Sequence, residues 1–128
     1  MRDKHCCIIC LGSNHESEAH LRQAKKILDE RFEHIQWGKT VETTAEGECA
    51  KGIYLNRAAA ISSELPLEDI NKIFKEIELH LGRTAKSKSE GIIPIDIDIL
   101  IFDHRILKPA DMDKNYVKQA LESIATIR

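Results

Sequence analysis

The sequence predicts an α+β sandwich, an antiparallel sheet with helices packed on one face. Two observations carry this. Short apolar or β-branched runs alternate with amphipathic helical stretches in the order strand, helix, strand, strand, helix, strand, helix. The third strand run also splits with a period of two, placing Leu55, Ala59 and Ile61 on one face and Tyr54, Asn56 and Ala58 on the other. The first six elements make the split βαβ pattern of a ferredoxin-like sandwich. Its helices cover one sheet face and leave the other open to a ligand.

Residues 6–11 form a continuous apolar run, expected as a buried strand, and Gly12-Ser13-Asn14 reads as the turn that ends it. Over residues 17–32, Leu21, Ala24, Leu28 and Phe32 share one helical face, while Lys25, Lys26, Asp29 and Glu30 cover the other. Residues 35–44 carry Thr40, Val41, Thr43 and Thr44 and read as the second strand, and residues 47–52 as a polar loop. Residues 53–62 are the third strand. Pro66 suits a first helical turn, Ile70, Ile73, Phe74, Ile77 and Leu81 follow at helical spacing, and Gly82 stops that helix. Residues 84–94 read as a basic loop. The last core strand, near residues 95–102, precedes a helix capped by Asp113, with Val117, Ala120, Leu121 and Ile124 inside.

A chain of 128 residues suits one domain with one core, and the whole length is expected to form it. A formal net charge of −2 gives no general attraction to nucleic acid or anionic membrane. No apolar run approaches a membrane span, and the start Met1-Arg2-Asp3-Lys4-His5 has no signal-peptide character, so a cytoplasmic location is expected. Cys6, Cys7 and Cys10 are expected as small core hydrophobes rather than soft-metal ligands, because the run holding them lacks turn residues that would let thiolates converge. Cys49 stands alone in a loop. The histidines at 5, 15, 20, 34, 80 and 104 show no paired ligand spacing.

Chemistry concentrates in Ile95-Asp96-Ile97-Asp98-Ile99-Leu100-Ile101-Phe102. Residues i and i+2 of a strand share a face, so Asp96 and Asp98 stand side by side with Ile95, Ile97, Ile99 and Ile101 turned away. Adjacent carboxylates repel unless positive charge lies between them. A hard divalent cation such as Mg²⁺, which takes one or two carboxylates and completes its shell with water and phosphates, answers that need. A wet edge strand using Asp against aggregation is the plainer alternative. Leu11-Gly12-Ser13-Asn14 offers a possible backbone nest for an anion. Tyr54 and Asn56 give a ring and an amide on one face, suited to a flat heterocycle. Arg83, Lys86 and Lys88 form a basic cluster suited to a polyphosphate, and Glu78 reads equally as a structural ion-pair partner or a ligand.

Taken together, Leu11-Gly12-Ser13-Asn14, Thr43, Tyr54-Leu55-Asn56, Glu78 through Gly82-Arg83, and Asp96-Ile97-Asp98 resemble the 6-hydroxymethyl-7,8-dihydropterin pyrophosphokinases of folate biosynthesis, from Ile8 to about Phe102. The resemblance implies a ferredoxin-like core and transfer of pyrophosphate from ATP to the hydroxymethyl oxygen of a reduced pterin, releasing AMP. It implies Asp96, Asp98 and Arg83 as catalytic residues, with Asp96 and Asp98 holding a pair of Mg²⁺ ions. Thr43, Thr44, Glu46, Tyr54 and Asn56 would hold the pterin. Glu78, Arg83 and Ile99 would lie at the nucleotide, with Lys86 and Lys88 as further phosphate contacts. The implied partners are these small molecules; no nucleic acid and no membrane is expected, and a monomer is expected with an oligomer left open.

The chain departs from the family pattern at two places. The loop before the Asp strand usually carries a Trp and then an Arg, where this chain has Glu90 and Ile93. The Pro-His segment after the core reads Lys108-Pro109-Ala110-Asp111-Met112, and Tyr116 or Val117 stands where an aromatic ring is usual. A lysine is a point charge and does not reproduce a guanidinium fork. The expectation is a compact pyrophosphokinase of reduced activity. The alternatives are a relative that binds pterin or nucleotide with little turnover, and a ferredoxin-like binding or assembly module.

Overall fold

Residues 4–44, 52–112, 114, 117–119 and 122 are described by a computed structural model. Among them the elements run β1 (His5–Ser13), α1 (Ser17–Arg31), β2 (His34–Thr44), β3 (Ile53–Ser63), α2 (Leu67–His80), α3 (Ala85–Ser89), β4 (Asp96–Phe102), β5 (Arg105–Ile106) and α4 (Pro109–Met112). The sheet order is β2-β3-β1-β4-β5 and every paired strand is antiparallel. Each long helix thus connects two strands that are separated in the sheet by a third, the split βαβ arrangement of a ferredoxin-like α+β sandwich.

The core lies between the two long helices and one sheet face. Leu21, Ala24 and Leu28 of α1 and Ile70, Phe74 and Ile77 of α2 pack on Ile9, Leu11, Ala59, Ile61, Ile95, Ile97 and Ile99. Phe32 meets Phe74 with ring centroids 6.2 Å apart, closing the space between the helices. The helix spacing read from the sequence is what buries this apolar stripe. No helix among the described residues is long and apolar enough to cross a membrane.

Four expectations are corrected. The first strand does not end before Gly12; it continues through Ser13. Ile101 does not share a face with Ile95, Ile97 and Ile99. A register shift opposite Ile8 and Ile9 pairs Ile8 with Ile101 and Ile9 with Ile99, leaving Leu100 as an extra residue. The bulge turns Leu100 and Ile101 both toward the face away from the helices, where they join Cys10 and Val117. The 84–94 segment is not merely a loop. Thr84 and Ser87 exchange side-chain and backbone hydrogen bonds as a capping box and start the short α3. Finally, the uncovered sheet face is roofed at one end, because Val117 is buried there. Residues 117–119 are helical as expected, while Glu46, Cys49, Asp113, Tyr116, Ala120, Leu121 and Ile124 lie outside the described residues.

The β4–β5 turn is a further feature with no sequence counterpart. Asp103 and His104 take positive φ of 48° and 72° in a two-residue hairpin turn. The Asp103 carboxylate accepts from the Cys6 backbone N–H at 2.9 Å and contacts the His5 ring, pinning the start of β1.

Candidate active site

Register alone brings the expected residues together. Asn56 of β3, Gly12 of β1 and Asp96 of β4 form one row across the face away from the helices, and Ala58, Cys10 and Asp98 form the next. Thr43 of β2 lies opposite Tyr54 of β3. Above these rows is a cleft of about 260 Å³, whose walls include Thr43, Thr44, Tyr54, Asn56, Asp96 and Asp98. The ring and amide stand on one side and the carboxylates on the other. The cleft has the size of a small heterocycle site, near the low end of ligand pockets.

Gly12 makes the floor between them. A Cβ at that position would sit 3.2 Å from Asn56 Oδ1 and 3.9 Å from the Tyr54 ring. The residue is needed for close approach, and Leu11-Gly12-Ser13 lies within a paired strand rather than in the turn read from the sequence. Ser13 is buried and its hydroxyl donates to the His15 carbonyl at 3.2 Å. Asn14 serves the chain itself: its amide donates to the Gly91 carbonyl at 2.7 Å and accepts from the Ile93 N–H at 2.6 Å. Sequence spacing held no signal for this clamp, which ties the loop before β4 to the end of β1.

The carboxylate pair is set by the end of α2. Gly82, with φ of +104°, closes a Schellman motif in which the Arg83 N–H donates to the Glu78 carbonyl at 3.0 Å and the Gly82 N–H to Leu79 at 3.1 Å. That turn aims the Arg83 guanidinium at two carboxylates. Nη1 lies 2.9 Å from Glu78 Oε2 and 2.5 Å from Asp96 Oδ1. Glu78 is buried, and the same oxygen accepts the Ile97 N–H at 2.8 Å, so it fixes both Arg83 and β4. Burial works to raise the Asp96 pKa, but hydrogen bonding with Asp98 and with Arg83, and the Arg83 charge, hold its carboxyl below the usual range. The Tyr54 phenol is pushed up, first by burial and then by the Asp96 charge.

Asp98 borders a second cleft as well, along the part of β4 that β5 does not cover. Ile97, Ile99, Asn71 and Lys75 line it together with Leu107 and Lys108, and Lys108 Nζ is 3.5 Å from Asp98 Oδ1. Ile99 therefore faces a different space from Tyr54 and Asn56. Lys88 borders a third depression beside Arg83 and Glu78. Lys86 is exposed on α3, and neither it nor Lys88 lines the first two clefts. Three cations absent from the expected site residues do, among the described residues: Lys114 lines the first cleft, and Lys75 and Lys108 line the second.

Cysteines divide three ways. Cys6 is exposed, Cys10 lines the first cleft, and Cys7 is core, its thiol pushed up to about 12 by burial and by the neighbouring Cys6 and Asp103 charges. Cys7 and Cys10 are buried among apolar side chains as expected, and exposed Cys6 is the correction. Among the described residues no group of three or more His, Cys, Asp or Glu forms an all-protein metal cage. The adjoining Asp96 and Asp98 are instead a hard, two-carboxylate donor set.

A ferredoxin-like sandwich with a carboxylate pair facing a ring-and-amide wall on its uncovered face defines a class of small-ligand α+β domains. The chain belongs to the 7,8-dihydro-6-hydroxymethylpterin-pyrophosphokinase (HPPK) family, whose model matches residues 8–126. It is 37% identical over 98 residues to proteins of two strains of Porphyromonas gingivalis named 2-amino-4-hydroxy-6-hydroxymethyldihydropteridine pyrophosphokinase. That match covers 73% of this chain and 66% of each relative's length. The family match runs past Phe102 and includes the segment bearing Lys108 and Lys114.

Proposed function

We propose that the protein is a folate-pathway diphosphotransferase that moves pyrophosphate from ATP to the hydroxymethyl group of 6-hydroxymethyl-7,8-dihydropterin and releases AMP. One observation carries the reading: Asp96 and Asp98 share a cleft with Tyr54, Asn56 and Thr43, and Asp98 also borders a second cleft. Family membership and the name of the Porphyromonas gingivalis relatives support the same chemistry. Transfer needs an acceptor and a donor meeting at one charged edge, and Asp98 is that edge.

In this reading the pterin lies in the first cleft, its ring against Tyr54 and its polar edge at Asn56, with Thr43 and Thr44 beside it. ATP takes the second cleft, near Ile99. Arg83 and Glu78 hold Asp96 ionised and in place. The hydroxymethyl oxygen attacks the β-phosphorus, the bond from that phosphorus to the oxygen bridging it to the α-phosphate breaks, and AMP departs. The alcohol proton passes to a carboxylate of the pair or to water. Asp96 and Asp98 suit Mg²⁺, which would supply charge neutralisation and a template for the phosphates. Positioning and neutralisation are the main sources of acceleration in phosphoryl transfer. The proposed setting is the cytoplasm.

A second reading, ligand binding with little turnover, is favoured by Ile93. That position, where the family carries a loop Arg, is instead tied by its backbone to Asn14 and brings no cation. One assay separates the two: AMP release from ATP and Mg²⁺ with hydroxymethyldihydropterin, beside Asp96→Ala. Turnover abolished by the substitution supports the transferase. No turnover with calorimetric pterin binding supports the binding protein, and no binding of either ligand sinks both.

A further inference from the structure

Asp96 is the first residue of β4, so its place depends on what holds the leading end of that strand. From the helix side the end is tied by Arg83 and by Glu78, which accepts the Ile97 N–H. On the sheet side Gly12 of β1 pairs with Asp96. Beyond that pair Pro94 has no N–H to give, so the pairing does not run on as an ordinary ladder. Asn14 takes over there. Its backbone N–H donates to the Ile93 carbonyl at 3.0 Å, its side-chain oxygen accepts the Ile93 N–H at 2.6 Å, and its side-chain nitrogen donates to the Gly91 carbonyl at 2.7 Å. A carbonyl at one pole and an N–H at the other call for a side chain with a donor and an acceptor side by side, which is an amide.

Both jaws of this clamp are themselves anchored. On the β1 side the Ser17 hydroxyl donates to the Ser13 carbonyl at 2.8 Å, and the hydroxyl of buried Ser13 donates to the His15 carbonyl at 3.2 Å. On the other side Gly91 takes φ of +78° and its N–H donates to the Lys88 carbonyl at 3.0 Å, while the Ile92 N–H donates to the Ser87 carbonyl at 2.8 Å. Asn14 lines neither the first cleft nor the second. A side chain that borders neither ligand space, yet fixes the backbone just before Asp96, acts on the site through that backbone.

We infer that Asn14 is a positioning residue for diphosphoryl transfer: it fastens the leading end of β4 to β1 and, with Arg83, sets Asp96 across Gly12 in the geometry that transfer needs. This rests on the pyrophosphokinase reading. Arg83 holds the carboxylate and Asn14 holds the backbone that carries it, so neither replaces the other. Transfer is sensitive to such placement, because misplacing a group by about 1 Å costs up to about 100-fold in rate.

The test uses the full chain with Asn14→Ala, the isosteric Asn14→Asp, and Ser87→Ala, which breaks the capping box at the far end of the same segment. AMP release from ATP, Mg²⁺ and hydroxymethyldihydropterin is followed at a temperature where each variant is fully folded. Asn14→Ala is expected to lower kcat about tenfold and to leave the KM for ATP and for the pterin within about twofold. Asn14→Asp keeps the acceptor for the Ile93 N–H and is expected to fall between Asn14→Ala and wild type; it carries the test alone should Asn14→Ala fail to fold. Ser87→Ala is expected to keep kcat within about twofold. In hydrogen exchange the Ile93 amide is expected to open about tenfold faster in Asn14→Ala, with the α2 amides unchanged. An unchanged kcat in the folded Asn14 variants, KM values that rise as much as kcat falls, or an equal loss in Ser87→Ala overturns the inference and leaves the pyrophosphokinase reading standing. A wild-type chain that releases no AMP overturns that reading and the inference with it.

Discussion

Arg83 Nη1 stands 2.5 Å from Asp96 Oδ1, and through that contact the end of α2 helps hold the Asp96 carboxyl of β4 below its usual range. The same guanidinium neutralises buried Glu78 at 2.9 Å. Removing it has two separable consequences. Among the described residues, Arg83→Leu leaves buried Glu78 with the exposed Lys75 as its remaining ion-pair partner, a loss of about 3 kcal/mol for a broken buried pair. Adding Glu78→Gln removes the orphaned charge while keeping an acceptor for the Ile97 N–H. The double variant is expected to regain most of the urea midpoint and still show AMP release down about 100-fold. Recovery of both together would mean that Arg83 acts on stability alone.

Gly82 tests the same link from the backbone. An L-residue at φ +104° is strained, and Gly82→Ala is expected to cost about 1–2 kcal/mol. Because the Schellman turn aims Arg83, AMP release is expected to fall further than the lost stability explains at a temperature where the variant is fully folded. Stability loss with an unchanged kcat would uncouple the turn from the site.

Much of this was legible in advance, and the reasons are local. The period-two split of β3 and the helical spacing of Ile70, Phe74 and Ile77 are written in adjacent residues, and they fix which face carries Tyr54 and Asn56. The Asp96/Asp98 pair needs only the strand period. The bulge at Leu100 was not legible, because Ile99, Leu100 and Ile101 are equally apolar and nothing in them marks which is extra. Asn14 looked like a turn donor, and its partners Gly91 and Ile93 are far along the chain. Lys108 and Lys114 reach Asp98 and the first cleft only through the path taken after β5. The Thr84/Ser87 capping box was a readable signal, hidden by the basic composition around it.

Gly12 gives a prediction that separates the pterin half from the nucleotide half. Gly12→Ala brings a methyl to 3.2 Å from Asn56 Oδ1, tighter than ordinary van der Waals contact, and pushes the amide off its place over the floor. The expected result is pterin affinity weakened about tenfold by calorimetry, with α,β-methylene-ATP affinity within about twofold. Equal weakening of both ligands would show that the floor is a general support for the sheet rather than a wall of one cleft.

Away from the site, Asp29 supplies a pH dependence with a built-in reporter. Its carboxylate accepts from Lys25 at 2.7 Å and from the Nε1 of Trp37, the chain's single tryptophan, at 2.8 Å. Burial works to raise its pKa, but these two hydrogen bonds and the Lys25 and Arg57 charges hold it below the ordinary value of 3.8. A folded pKa below the unfolded one means the folded carboxylate resists protonation. The stability from Asp29 is therefore complete above about pH 4, the unfolded value, and is lost as the pH falls through the lowered folded one. The pair is part-exposed and screened, so the contribution is within about 1 kcal/mol. Urea midpoints followed by Trp37 emission are expected to drop as the pH falls below about 4 in the wild type, and to drop less in Asp29→Asn, which keeps an acceptor for the indole but cannot titrate. Identical pH slopes in the two proteins would remove Asp29 from the acid sensitivity of the fold.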